Sequence, residues 1–184
     1  MGKDKAFLKL GDMPMIEHIL KALRSVTDRI IIVTNSLEDY AAYDAAVVTD
    51  AFDKRGPLTG IYTGLLHSKD EYNIVVACDM PFLNPRLLSY MASLAEEYDV
   101  VLPKIGDYVE PLHAVYRKGL LSLIESKLRQ DERKIRSLFN EIRVRYVTET
   151  EIDQYDPGRK SFKNLNTPEE YEEVACLDLE CRSC

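Results

Sequence analysis

The segment Tyr72-Asn73-Ile74-Val75-Val76-Ala77-Cys78-Asp79-Met80-Pro81 restricts the folds open to this chain more than any other stretch. Its apolar run is too short for a helix and lacks polar alternation, the pattern of a strand buried on both faces. Strands of that kind belong to sheets covered on both sides by helices. The reading therefore puts the segment in mid-sheet, with Asp79 at its carboxyl end, on the rim where open α/β sheets bind ligands. Pro81 limits how the backbone continues. On spacing alone, Asp79 serves equally well as an N-cap or turn aspartate ahead of the segment that begins at Asn84.

Helix and strand signals alternate on both sides of this run. Pro14 suits a first helical turn, and Ile16, Ile19, Leu20 and Leu23 share one helical face. Residues Arg29 to Thr34 hold the β-branched run Ile30-Ile31-Ile32-Val33, a buried strand. Ala46-Val47-Val48-Thr49 is a shorter strand ending at Asp50, and Arg55-Gly56-Pro57-Leu58-Thr59-Gly60 leads into a helix carrying Leu58, Ile61 and Leu65. After Pro81, Leu87, Leu88, Met91, Leu94 and Ala95 have helical spacing, and Asp99 to Pro103 returns as a strand. Such alternation predicts an α/β fold, a mostly parallel sheet with helices on both faces. From Gly106 the pattern changes. Tyr108 to Tyr116 reads as one or two strands broken by Pro111, at a sheet edge or in an inserted hairpin. Helices are expected at Leu120 to Leu128 and Ile135 to Ile142, then a strand at Val144 to Val147. A last strand around Phe162 should end in an Asn-rich loop, with a helix capped by Thr167 and opened by Pro168. No linker or repeat interrupts the chain, so one domain is expected over residues 1–175, followed by a cysteine-containing tail at 176–184.

Composition narrows the partners. With 46% hydrophobic and 30% charged residues in 184, the chain can bury a core and is not disordered. A net charge of −7 argues against nucleic acid and anionic membrane surfaces, which need clustered Lys and Arg. No apolar run approaches the roughly 18 residues of a membrane span, and the N-terminus has no apolar signal core. A cytoplasmic protein is expected. Three of the four cysteines (Cys176, Cys181 and Cys184) crowd the last nine residues, while Cys78 belongs to the buried strand, so the cysteines are read as reduced and Cys78 as core packing.

Three groups of residues then fall at strand ends that share one rim: Asp50 with Gly56-Pro57-Leu58, Asp79, and Asn164 with Asn166. One or two carboxylates suffice for Mg²⁺, which keeps waters and takes other ligands from substrate phosphates, so Asp79 with help from Asp50 is the candidate metal site. Lys3, Lys5 and Arg55 offer charge to phosphates or are simply solvated. Gly56 and Gly60 permit either close backbone approach or a tight turn.

Taken in order, Gly2-Lys3-Asp4-Lys5-Ala6, Gly11 to Pro14, Gly56-Pro57-Leu58-Thr59-Gly60, Cys78-Asp79-Met80-Pro81-Phe82, Glu110-Pro111-Leu112-His113-Ala114-Val115-Tyr116 and Asn164-Leu165-Asn166-Thr167-Pro168-Glu169-Glu170 resemble the motifs of molybdenum cofactor guanylyltransferases. The likeness runs from residue 1 to about residue 175. It implies a Rossmann-like nucleotidyltransferase fold and transfer of GMP from Mg²⁺·GTP to molybdopterin, with release of pyrophosphate. By the resemblance Lys5 contacts GTP phosphates and Asp79 binds Mg²⁺. Asp50 and Gly56-Pro57-Leu58 line the nucleotide, and Asn164 and Asn166 lie towards the pterin. His113, in a segment like the acceptor-side strand, is expected to contact molybdopterin, or else is an edge-strand histidine with a structural hydrogen bond. Proteins that deliver molybdopterin, and molybdoenzyme chaperones, are the implied partners. The family's opening strand and Gly-rich loop, of the form LAGGxSxRMG, have no counterpart, since Met1-Gly2 match its last two residues. The expectation is a start assigned at an internal methionine, or else a chain impaired in turnover. The alternatives are a related nucleotidyltransferase using CTP or another phosphate acceptor, and a non-catalytic nucleotide- or pterin-binding protein.

Overall fold

A computed structural model describes residues 5–53 and 56–165 of the chain. A single 3₁₀ turn at Lys5–Phe7 leads into a small hairpin, β1 (Lys9–Leu10) and β2 (Met13–Pro14), which turns on Gly11 at φ 62°. Helix α1 (Met15–Arg24) follows, with Pro14 at its N-cap and Met15, Ile16, Ile19, Leu20 and Leu23 on its buried face. The strands β3 (Ile31–Val33) and β4 (Ala46–Val48), joined through the short α2 (Leu37–Tyr40), pair in parallel.

The larger sheet is mixed. After α3 (Pro57–His67) come β5 (Tyr72–Val76), α4 (Pro85–Ser93), β6 (Val100–Ile105), β7 (Tyr108–Val109) and β8 (His113–Arg117). Then follow α5 (Leu121–Arg129), β9 (Val144–Val147) and α6 (Glu149–Tyr155). Strand β8 lies antiparallel between β5 and β6, and β9 pairs with β6 in parallel, so β5, β6 and β9 share one direction. The sheet is thus less uniformly parallel than the βα alternation predicts. A tight hairpin at Gly106 and the break at Pro111, rather than a crossover helix, return the chain from β6 to β8.

Helices cover both faces. On one, α3 and α5 bury Leu58, Ile61, Leu65, Ile124 and Leu128 in a cluster with Leu102, Ala114 and Tyr116 of the sheet. On the other, Leu87 and Met91 of α4 and Ile152 of α6 pack on Val101, Val115 and Val147. Alternate residues of β8 therefore serve opposite faces, Ala114 and Tyr116 one way and Val115 the other, as the pleat requires. Among the described residues no helix is long and apolar enough to cross a membrane.

No ladder joins β3 to β5 among the described residues, although both strands lie between the same helices. Ile30 and Ile74 pack with Ile19 and Leu23 of α1, while α3 brings Gly64 to Val33 and packs its Leu58 and Ile61 cluster on Val75. Ala46 N–H donates to the Ile30 carbonyl and Thr34 N–H to the Val48 carbonyl, so the backbone groups of Ile31 and Val33 point away from β4. In β5, Lys118 N–H donates to Glu71 and Ala77 N–H to Leu112, which turns the backbone of Tyr72, Ile74 and Val76 away from β8. This open edge corrects two expectations. Every residue of β5 is only half-buried, and Cys78, beyond the strand's end, is exposed instead of packed in the core.

Two other segments differ from expectation. Ile135–Leu138 is a 3₁₀ turn shorter than the expected helix. Lys160–Phe162 is a 3₁₀ turn and not a strand, because the Asp156 carboxylate accepts the N–H groups of Lys160 and Ser161 and curls the segment back. The expected helix opened by Pro168 and the tail cysteines Cys176, Cys181 and Cys184 lie outside the described residues.

Candidate functional site

The path of the chain brings the strand ends together. Helix α3 starts a few residues beyond Asp50 and delivers the chain to the start of β5, so β5 runs back along it. Asp79 therefore returns to the side on which β4 ended. Ala51 N–H donates to Thr63 Oγ1 at 3.0 Å, and that hydroxyl donates to the Thr59 carbonyl at 2.9 Å, pinning the loop after Asp50 to α3.

Asp79 is not an N-cap. Asn84 caps α4, its Oδ1 accepting the N–H groups of Arg86 and Leu87 at 2.9 and 3.3 Å. The Asp79 side chain has one oxygen, Oδ1, buried without a hydrogen-bond partner. A buried acceptor left unmade is costly unless a ligand or cation meets it. Its backbone carbonyl accepts Leu165 N–H at 3.0 Å, which draws the segment carrying Asn164 to the same strand end. Asn164 itself is exposed.

Asp50 shows a parallel arrangement. Its Oδ2 accepts Asn35 Nδ2 at 3.0 Å, whereas Oδ1 is buried and unpartnered. Asn35, beyond the end of β3, is thus the residue that fixes the Asp50 carboxylate. Gly56 is extended at the N-cap of α3, no side chain caps that helix, and Pro57 occupies its first turn. A Cβ on Gly56 or Gly60 would meet nothing within 4 Å, so packing does not demand a glycine at either. Leu58 is fully buried in the core, which leaves its backbone as the part that faces the rim.

Lys5 is exposed in the first 3₁₀ turn, next to Ala6, which is buried with Ile16 and Leu20 of α1. The hairpin after it packs Leu10 with Met15, Leu165 and Phe82, placing this N-terminal segment at the rim that Asp79 reaches. Lys3, Arg55 and Asn166 lie outside the described residues.

His113 takes neither position expected of it. It is completely buried opposite Val76, its ring 5.0 Å from that of Phe162, with no partner for either ring nitrogen. Burial depresses its pKa to about 4, against the smaller upward pull of Asp156, so the ring is neutral at physiological pH.

Two rim residues were not singled out from sequence. Glu110 is buried, and Tyr108 donates its hydroxyl to Glu110 Oε2 at 2.5 Å. That hydrogen bond, with burial and the charges of Glu110 and Asp79, pushes the Tyr108 phenol up to about 12. The signal was present in the spacing Tyr108-Val109-Glu110, which puts residues i and i+2 on one side of an extended segment.

Similarity to known proteins gives the family. A MobA-like NTP transferase domain matches residues 1–147. The molybdenum cofactor guanylyltransferase of Desulfosudis oleivorans is 38% identical over 174 residues, covering 94% of this chain and 86% of the relative. A probable molybdenum cofactor guanylyltransferase of Natranaerobius thermophilus is also 38% identical, over 95% of this chain and 88% of its own. The crystal structure of molybdopterin-guanine dinucleotide biosynthesis protein A from Archaeoglobus fulgidus superposes with a TM-score of 0.84 at 26% identity, covering 97% of this chain and 92% of that one. This chain belongs to the MobA-like NTP transferases and, within them, to the molybdenum cofactor guanylyltransferase family.

Proposed function

We propose that the protein transfers GMP from Mg²⁺·GTP to molybdopterin, forming molybdopterin guanine dinucleotide and pyrophosphate. The names of its relatives support the substrates, and the buried, unpartnered Oδ1 of Asp79 at the end of β5 is the observation that carries the site. That oxygen fits a divalent cation. Among the described residues no group of three His, Cys, Asp or Glu side chains could hold a metal, so Asp79 would hold the ion chiefly together with substrate phosphates, as Mg²⁺ prefers. Bound there, the ion would supply charge neutralisation to the phosphates.

The chain's own residues do the rest by position and charge. Asp50, fixed by Asn35, and the uncapped N-terminus of α3 at Gly56-Pro57-Leu58 face the nucleotide. A phosphate oxygen of the acceptor attacks the α-phosphorus in line, a new P–O bond forms, and the bond to the β-phosphate breaks with its electron pair leaving on pyrophosphate. Lys5 stabilises charge that develops on the leaving group. No general base is required, because a phosphate nucleophile is already ionised near neutral pH, and catalysis is positioning and electrostatics. Asn164 and Asn166 bind the acceptor, and His113 lies buried opposite Val76 near the end of β5. Molybdopterin-delivering and molybdoenzyme-chaperone proteins are the partners of such a reaction, in a cytoplasmic setting.

Calorimetric titration of the chain with GTP and with CTP, each with Mg²⁺, tests this reading. Selective binding of GTP is the expected result, and equal binding of CTP would overturn it. Asp79→Ala should lower GMP transfer by about 10²-fold or more while leaving the circular dichroism unchanged. An unaltered turnover rate in that variant would remove the metal role.

A further inference from the structure

Tyr108 is held at both ends but left open on its ring. Its backbone is laddered to Ile105 across the hairpin, next to Val109, which is buried in the cluster that contains Leu58. Its hydroxyl donates to the carboxylate of Glu110, a residue only 6% exposed, whose other oxygen accepts Leu112 N–H at 3.1 Å. The Leu112 carbonyl in turn accepts Ala77 N–H at 2.9 Å, two residues before Asp79. This chain of bonds ties the phenol to the strand that ends in the site. Yet the Tyr108 side chain is 52% exposed, an unusual outlay for an aromatic whose value to folding is buried area. Fixing a ring while leaving its surface in water costs rotamer freedom and returns little stability. It does pre-organise a flat apolar surface.

The surroundings identify what that surface meets. Ile135 is buried in the same cluster as Val109, which brings the neighbouring Arg136 to the Tyr108 hairpin, and the bond from Ala77 N–H to the Leu112 carbonyl ties the strand end that carries Asp79 to the same segment. Arg136 is exposed and, among the described residues, has no ion pair or side-chain hydrogen bond. With β3 and β5 side by side under α1 and α3, Asp50 lies past β3 at the end of β4, whereas Tyr108 projects from the hairpin on β6, two strands past β5 on the β8 side. Tyr108 is therefore on the side of Asp79 away from the nucleotide groups. We propose that Tyr108, oriented by Glu110, is the platform on which the planar heterocycle of the phosphate acceptor stacks, with Arg136 meeting the acceptor's negative charge. Glu110 is a positioning residue that acts through Tyr108. This assignment rests on the guanylyltransferase reading and extends it to the acceptor.

The test measures molybdopterin binding, without nucleotide, to the full chain and to Tyr108→Ala, Tyr108→Phe, Glu110→Gln and Glu110→Ala, alongside GTP binding and GMP transfer. Stacking on an aromatic is worth enough that Tyr108→Ala should weaken molybdopterin binding by about 10- to 100-fold, with GTP binding within about twofold of the parent. Tyr108→Phe keeps the ring and should lose about 2- to 5-fold. Glu110→Gln keeps an acceptor for the phenol and should rescue most of what Glu110→Ala loses, an effect on acceptor KM and not on kcat. A Tyr108→Ala variant that binds molybdopterin like the parent, or that loses GTP affinity equally, overturns the platform while leaving the function intact. A parent that binds molybdopterin through Tyr108 but transfers no GMP upholds the platform and sinks the transfer reaction. A parent that neither binds molybdopterin nor transfers GMP removes both.

Discussion

At His113 the demands of packing and of polarity pull apart. The ring fills a place beside Phe162 that an apolar side chain would fill as well, and both nitrogens go without partners. Its folded pKa, about 4, lies below the unfolded value near 6.5, so the unfolded chain binds the extra proton first. Stability should therefore be highest above about pH 6.5 and fall as pH drops towards 4, by on the order of 2–3 kcal/mol. His113→Leu should remove that dependence, and urea denaturation of parent and variant at pH 7 and pH 4.5 measures it. Equal losses in both proteins would mean that His113 is not the group responsible. The sequence alone reads His113 as an edge-strand or acceptor-facing residue, because a histidine two residues after Pro111 gives no sign of how deeply β8 is covered. At Asp79 the sequence left an N-cap role open, and the structure closes it, because Asn84 caps that helix itself. Asn35 was harder to find, since its importance lies in a hydrogen bond to Asp50, 15 residues away.

Among the elements, α6 shows how a local motif and a tertiary contact reinforce each other. Thr148 and Glu151 form a capping box, with Glu151 accepting from the Thr148 N–H at 2.9 Å and hydroxyl at 2.7 Å. The same carboxylate accepts the Tyr90 hydroxyl from α4 at 2.6 Å and pairs with Arg145 of β9. Burial alone would raise its pKa, but the bonds from Tyr90, Thr148 and Arg145 outweigh it and hold the group at about 2. A carboxylate depressed in the folded state contributes stability above its unfolded pKa near 4.5 and loses it as pH falls towards 2. Glu151→Gln should cost on the order of 2 kcal/mol at pH 7 and much less at pH 2.5, read by thermal or urea denaturation. A cost unchanged at low pH would assign the loss to shape rather than charge. Asn84→Ala should cost about 1 kcal/mol through the lost cap of α4, and a variant as stable as the parent would count against that cap. The run Thr148-Glu149-Thr150-Glu151 has the spacing of a capping box, a local signal for the start of α6. The turns at Ile135–Leu138 and Lys160–Phe162 did not announce themselves, because helical spacing over one turn does not separate a 3₁₀ turn from an α-helix or a short strand.

At the largest scale, β3 and β5 are each paired on one side only among the described residues, and this sets where that part of the fold is weakest. Strand β8 is laddered on both sides, to β5 and to β6, whereas β3 and β5 each have one partner strand among the described residues. Amide exchange should follow this pattern, with Ile31, Val33, Ile74 and Val76 exchanging about two to three orders of magnitude faster than Ala114, Val115 and Tyr116. Equal protection of the two sets would show that the β3 and β5 edges are covered in solution. The consequence for the site is direct, since Asn35 and Asp79 are carried by the ends of these two strands. By itself the sequence determined the α/β class and most element positions, because hydrophobic period, turn chemistry and short motifs are local properties. Tertiary structure alone decided that β8 runs antiparallel, that Leu58 and His113 are sealed in the core while Cys78 is exposed, and that Tyr108 is tied to Glu110. Those outcomes depend on which strands lie side by side and which faces helices cover, and burial and pairing between distant segments leave no periodic trace in the chain.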